Sequence, residues 1–183
     1  MTRLSRILGG LISLCLLLVA VGTAQAASAA KIDRQVQEAL EVFKEEIKGA
    51  DALLGRAVGV LVFPSIKKAG IGIGGEYGEG ALLAGGKTAA YYSTAAASIG
   101  FQLGAQARTQ ILLFMEQRAL DSFKDSEGWE AGVDGSVAVI TLGAGGAFDT
   151  TATNEPIIAF IFNNKGLMYN LSLEGSKFTE IER

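Results

Sequence analysis

Between Ala69 and Gly80 the chain places glycine at almost every second position: Gly70, Gly72, Gly74, Gly78 and Gly80, with Ile71, Ile73 and Tyr77 among them. A period of two belongs to a strand. A helix through this stretch would lose about 1 kcal/mol per glycine relative to alanine. In a strand, glycine clears one face, lets another backbone or a ligand approach closely, and permits strong curvature. The segment therefore reads as a curved, glycine-lined strand.

The same period recurs along most of the chain. Strands are expected at Val58 to Phe63, ended by Pro64, and at Ala69 to Tyr77 and Ala81 to Ala84. A Gly85-Gly86 turn follows, then Thr88 to Ser93, Ser98 to Ala107 and Gln110 to Met115. Val133 to Leu142, Ile157 to Phe162 and Leu167 to Leu173 complete the set, with Asn163-Asn164-Lys165-Gly166 as a hairpin turn before the last. Short strands separated by glycine-rich turns indicate a curved antiparallel sheet, sandwich or barrel-like.

Two segments break the pattern. From Lys31 to Lys48, Ile32, Val36, Leu40, Phe43 and Ile47 form one apolar stripe opposite a mixed charged face. Burying five such side chains contributes about 8–15 kcal/mol gross. The stripe either packs on the core or enters a bilayer surface. Interfacial helices usually carry a basic polar face, and this one is slightly acidic, which favours the core. Gln117 to Lys124 reads as a second short helix with Leu120 and Phe123 inward. The fold class is thus α+β.

The side-chain inventory removes most familiar chemistry. The 183 residues contain no His and one Cys, Cys15. Ser-His-Asp and Cys-His nucleophile systems are excluded, as are His-based zinc sites. No cofactor and no metal is expected. Arg3 and Arg6, then an apolar run from Ile7 to Val21, then Ala24-Gln25-Ala26 have the order of a secretory leader. The expected organisation is a signal peptide over 1–26 and a single domain over 27–183, exported to a periplasmic or extracellular site and peripheral to a membrane. An uncleaved anchor is the alternative, but the run is short of the roughly 20 residues of a span. Losing two arginines would take the formal charge from −3 to −5. An acidic domain is a poor nucleic-acid binder, so no nucleic-acid partner is expected.

Several motif matches weaken on inspection. Gly70-x-Gly72-x-x-Gly75 fits a dinucleotide fingerprint, but it sits inside a strand pattern and runs into glutamates. Ser65-x-x-Lys68 with Lys87-Thr88-Ala89 partly fits penicillin-binding proteins, but the Ser-Asp-Asn element is absent. Asn170-Leu171-Ser172 is a glycosylation sequon inside an expected strand. The pairs Glu76 with Glu79 and Asp134 with Asp149 could serve a carboxylate hydrolase, although solvated turns explain them more simply.

A longer pattern carries function. Phe63-Pro64-Ser65-x-x-Lys68-x-Gly70 runs into Gly74-Gly75-Glu76-Tyr77-Gly78-Glu79-Gly80, and Gly100-x-Gln102-x-Gly104-x-Gln106 follows. With Gly86-Lys87-Thr88, Tyr91-Tyr92-Ser93 and Lys165-Gly166-Leu167, these motifs resemble the SYLF family of lipid-binding domains over essentially all of residues 31–183. The resemblance implies a non-enzymatic domain. Eukaryotic members bind phosphoinositide membranes, and a yeast branch binds and bundles actin. Bacterial members resembling this chain are exported. The resemblance also implies that the amphipathic segment Ile32, Val36, Leu40, Phe43 and Ile47 is the membrane-contact helix.

Arg56, Lys67, Lys68, Lys87 and Arg108 are the basic residues nearest the glycine-rich core and the candidate lipid-binding set. Each contributes about 1 kcal/mol near an anionic surface, so apolar insertion must add to them. The expected partner is an anionic phospholipid or membrane surface. The alternative, from another class, is a protein-binding or surface antigen scaffold.

Overall fold

The computed structural model describes residues 28–141, 155–166, 173 and 175–183, with backbone only for 71–72 and 98–104. The leader, Asp149, the sequon and nearly all of the expected strand Leu167 to Leu173 lie outside the described residues. Three helices and six strands occur among the described residues: α1 (Ala29–Glu46), α2 (Ala50–Arg56), β1 (Gly59–Ala84), β2 (Lys87–Phe114), α3 (Gln117–Lys124), β3 (Trp129–Glu130), β4 (Ala138–Thr141), β5 (Ile157–Gly166) and β6 (Lys177–Ile181).

The six short strands expected between residues 58 and 115 are two long ones. β1 and β2 pair antiparallel from Gly59↔Phe114 to Ala84↔Lys87, joined by Gly85 and Gly86, both at positive φ. The expected breaks are absorbed as register shifts. Pro64, expected to end a strand, lies in a bulge between Phe63 and Ile66, where its missing N–H costs no ladder bond. Thr109 Oγ1 donates to the Pro64 carbonyl at 3.1 Å.

The ribbon bends sharply near residues 70–74. A Cβ on Gly70 would stand 2.4 Å from Gly74 Cα, one on Gly78 2.8 Å from Ile66 Cγ1, and one on Gly80 2.0 Å from the Val62 carbonyl oxygen. The two halves of β1 therefore lie directly against each other, and only a missing side chain permits it. This is the close backbone approach that glycine in a strand permits.

The other edge of β2 is shared by β6, against Tyr91 to Ala95, and β5, against Gln106 to Phe114. The sheet order is β3-β6-β2-β5-β4 with β1 beside β2. β4 pairs with β5 in parallel, so the curled sheet is mixed rather than wholly antiparallel. β4 begins at Ala138, because residues 130–135 form a hydrogen-bonded turn instead of the expected strand start. The expected hairpin turn at Asn163 to Gly166 does not form. Lys165 and Gly166 continue β5 opposite Ala107 and Gln106, and Asn163 takes the irregularity at φ 51°. Asparagine tolerates that left-handed region.

Alternation sends β1 and β2 side chains to two cores. Val60, Val62, Ile111 and Leu113 meet α1, while Leu61, Phe63, Leu112 and Phe114 meet α3, Trp129 and Phe178. The α1 stripe Ile32, Val36, Leu40, Phe43 and Ile47 is wholly buried on the first core. Phe43 meets Phe160 edge-on at 4.9 Å between centroids. Asp33 fixes the helix to β2 by accepting from the Thr88 hydroxyl at 2.9 Å and the Tyr91 hydroxyl at 3.0 Å. Helix α2, not expected from the sequence, follows Gly49, whose φ of 88° turns the chain.

Candidate functional site at the ribbon bend

The bend leaves apolar surface uncovered. Ile73 is 73% exposed and Tyr77 50% exposed, on the same outward face of β1. Around them Ala69, Gly75, Ala95, Ala97 and Ala105 are also exposed. Ile73 stands in register with Ile99, and Ile71 with Leu103. The local sequence, small residues around a few large apolar ones, is what a tight bend requires, and it leaves the corner without charge of its own.

Cations flank the corner. Lys67 pairs in register with Ala107, and Ala107 with Lys165, so both lysines share one face across three strands. Strands are about 4.8 Å apart, which puts their Cα atoms roughly 10 Å from each other. Both are exposed. Nearby carboxylates are committed elsewhere. Glu79 accepts from Arg183 at 2.7 Å and from the Tyr77 hydroxyl at 2.8 Å. The bond to Glu79 and burial both hold the Tyr77 hydroxyl above the usual tyrosine range, burial being the larger cause.

Glu76 lies inside the curl, not in a solvated turn. Its carboxylate accepts two bonds from Arg108, at 2.9 and 2.7 Å, with side chains only 6% and 2% exposed. The pair ties the far half of β1 to β2 across the bend. Gln106, Arg108 and Gln110 alternate along β2 on this inner face, and Gln106 donates to Asn164 Oδ1. Thr94 Oγ1, Gln106 Oε1, Arg108 Nε and both amide atoms of Gln110 are buried without a protein partner. The interior of the curl is thus polar at its centre and apolar towards Phe114.

The structure separates the expected basic set. Arg56, Lys67 and Lys87 are exposed. Arg108 is buried and neutralised by Glu76, and Lys68 is buried opposite Gln106. Lys87 sits beside the Gly85-Gly86 turn and Arg56 ends α2, so of the five only Lys67 stands exposed beside the bend. In this fold the α1 stripe faces the sheet and offers nothing to a bilayer. Lys165, Ile73 and Tyr77 were not among the candidates. Lys165 is hidden in a turn-like tetrapeptide, and its proximity to Lys67 depends on strand partners almost a hundred residues apart.

The remaining motifs are accounted for. Gly70, Gly72 and Gly75 lie within β1 with no helix following, so they shape the bend rather than cradle a phosphate. Ser65 and Lys68 lie in the same strand, so they do not share the helical face that the motif requires. Among the described residues no cluster of acidic or sulfur ligands is placed to hold a metal, and no helix is long and apolar enough to cross a membrane.

These features define an α+β domain built on a curled, glycine-lined β ribbon with both sheet faces buried. The model of the family described as Ysc84, Las17-binding protein actin regulator, matches residues 95–183. Over those residues the chain is similar to that family, whose SYLF domain the sequence motifs resemble. The match begins at Ala95 within β2. Since β2 pairs with β1 along its whole length, the folded unit extends N-terminal of the matched residues. No curated protein matches the chain.

Proposed function

We propose that the protein is an exported, non-enzymatic domain that binds an anionic membrane surface through the bend of the β1–β2 ribbon. The observation that carries this reading is the exposed Ile73 in an alanine-rich corner, flanked by Lys67 and Lys165, with the nearby carboxylates of Glu76 and Glu79 held by Arg108 and Arg183. Burying Ile73 contributes about 1.5–3 kcal/mol. The two lysines add about 1 kcal/mol each. The sum, about 3.5–5 kcal/mol, corresponds to a dissociation constant near millimolar. Attachment would be peripheral, reversible and weakened by salt.

Co-sedimentation with phosphatidylglycerol and phosphatidylcholine vesicles, at low and high salt, tests it. The expected result is retention on the anionic vesicles at low salt only, abolished by Ile73→Asp and by Lys67→Glu with Lys165→Glu. No retention at low salt, or retention unchanged in those variants, would remove the proposal.

The family description names a Las17-binding protein and actin regulator, which supports protein binding as a second reading. Capture of one stoichiometric protein partner in the absence of lipid would favour it.

A further inference from the structure

At the other end of β2 a pocket of about 270 Å³ opens between α3 and the turn that follows β3. Its floor is Trp129 and its apolar wall Pro156 and Ile157. Ile157 pairs with Phe114, whereas the bend lies at Leu103, so roughly 35 Å of strand, at about 3.3 Å per residue, separates pocket from bend.

The turn that closes one side is rigid by construction. The Val133 and Asp134 amides donate to the Glu130 carbonyl, Gly132 N–H donates to the Gly135 carbonyl, and the Glu130 amide donates to Asp134 Oδ2 at 2.6 Å. Gly135 rests on the indole: a Cβ there would stand 2.8 Å from Trp129 Cζ2. The same turn projects Val133, which is 72% exposed.

Charge marks what the pocket accepts. Glu116 and Asp134 line it with Arg118 as the sole cation of the lining. Among the described residues neither carboxylate has a cation within ion-pairing distance. The volume lies below the roughly 300–1,000 Å³ of cofactor and drug-sized sites, and suits one or two side chains. An apolar floor under two carboxylates that lack a paired cation, one of them held in place by the Glu130 amide, matches the build of a lysine or arginine, whose stem is apolar and whose head is cationic.

We infer that this pocket is a docking site for a protein segment that inserts a lysine or arginine side chain over Trp129, between Glu116 and Asp134, beside an apolar residue that packs on Val133. The pocket shares no lining residue with the bend, so the two sites are separate surfaces of the domain. This inference does not rest on the lipid reading.

The test uses the full chain and a labelled decapeptide carrying two lysines among leucines and alanines, read by fluorescence anisotropy. A matched peptide with glutamate for lysine and free N-acetyl-lysine amide are the comparison probes. Ser122→Leu, on the exposed side of α3, fills the opening, and Glu116→Gln removes one charge. Expected are measurable affinity for the basic peptide, at least about tenfold weaker binding of the acidic one, and a loss of about tenfold or more in each variant, the scale of one charged hydrogen bond. Circular dichroism checks that the variants fold. Equal affinity for both peptides, or unchanged affinity in folded Ser122→Leu and Glu116→Gln, would overturn the inference. Binding of the free amide as tight as that of the peptide would also overturn it, by assigning the pocket to a small amine.

Discussion

Replacing Glu76 by Gln tests what holds the ribbon closed. The change keeps the shape and one acceptor but leaves Arg108 charged in an interior where its side chain is 2% exposed. Removing one partner of a buried ion pair costs about 3–5 kcal/mol, because the other charge remains desolvated and uncompensated. Two bonds of 2.9 and 2.7 Å are weakened together, and Arg108 Nε already has no protein partner. At about 2–4 °C per kcal/mol for a chain of this size, the melting temperature should fall by about 6–20 °C. The assay is urea unfolding of the wild type, Glu76→Gln, Arg108→Met and the double variant Glu76→Leu/Arg108→Met. Each single variant should lose about 3–5 kcal/mol, whereas the double variant should lie within about 2 kcal/mol of wild type, because replacing both charges removes the desolvation penalty along with the attraction. A single-variant loss under about 1 kcal/mol, or strict additivity in the double variant, would refute the claim that this pair acts as a buried clamp.

Three further outcomes follow from the packing. Gly80→Ala should destabilise by about 1–3 kcal/mol or more, the scale of overpacking, because its Cβ would meet the Val62 carbonyl at 2.0 Å; the same change at Gly55, open and inside helix α2, should instead be neutral or stabilise by up to about 1 kcal/mol, as thermal unfolding would show. Phe43→Ala should cost about 3–5 kcal/mol in chemical denaturation, since the ring is wholly buried against Phe160; a negligible cost would mean that α1 does not dock on the sheet. Burial, with the charge and hydrogen bond of Glu180, raises the Tyr92 hydroxyl above the tyrosine range. The unfolded chain then loses its proton first, so this contribution is fully present below about pH 10 and is lost as pH rises beyond it. Tyr92→Phe should flatten the fall of stability above about pH 10, measured by urea midpoints across the alkaline range.

The resemblance to a lipid-binding family implies α1 as the contact element, whereas the fold buries its apolar stripe against the sheet. Five residues at helical spacing make a stripe whatever covers them, so periodicity alone leaves sheet and bilayer as equal partners. In the fold, Asp33 on the polar side is bonded to Thr88 and Tyr91 of β2 and holds the stripe against the sheet. The five basic residues suffered a similar fate. Charge near a glycine-rich segment in sequence does not say which side of a strand it occupies. Arg108 alternates with Gln106 and Gln110 onto the inner face, where it serves the fold, while Ala107 between them is the outward link from Lys67 to Lys165.

Local spacing by itself determined the strand period, the amphipathic face of α1, the α3 helix, the Gly85-Gly86 turn and a curved, glycine-lined strand. Each depends on residues a few positions apart, where backbone sterics and side-chain alternation act directly. Only the tertiary structure decided that β4 runs parallel to β5, that Asn163 to Gly166 extend a strand instead of turning, that Glu76 meets Arg108, and that Lys165 shares a face with Lys67. Those choices depend on which distant strands share an edge. Pairing energy is set by the partner's side chains and by the curvature of the sheet, and neither is written in the spacing of a strand's own residues.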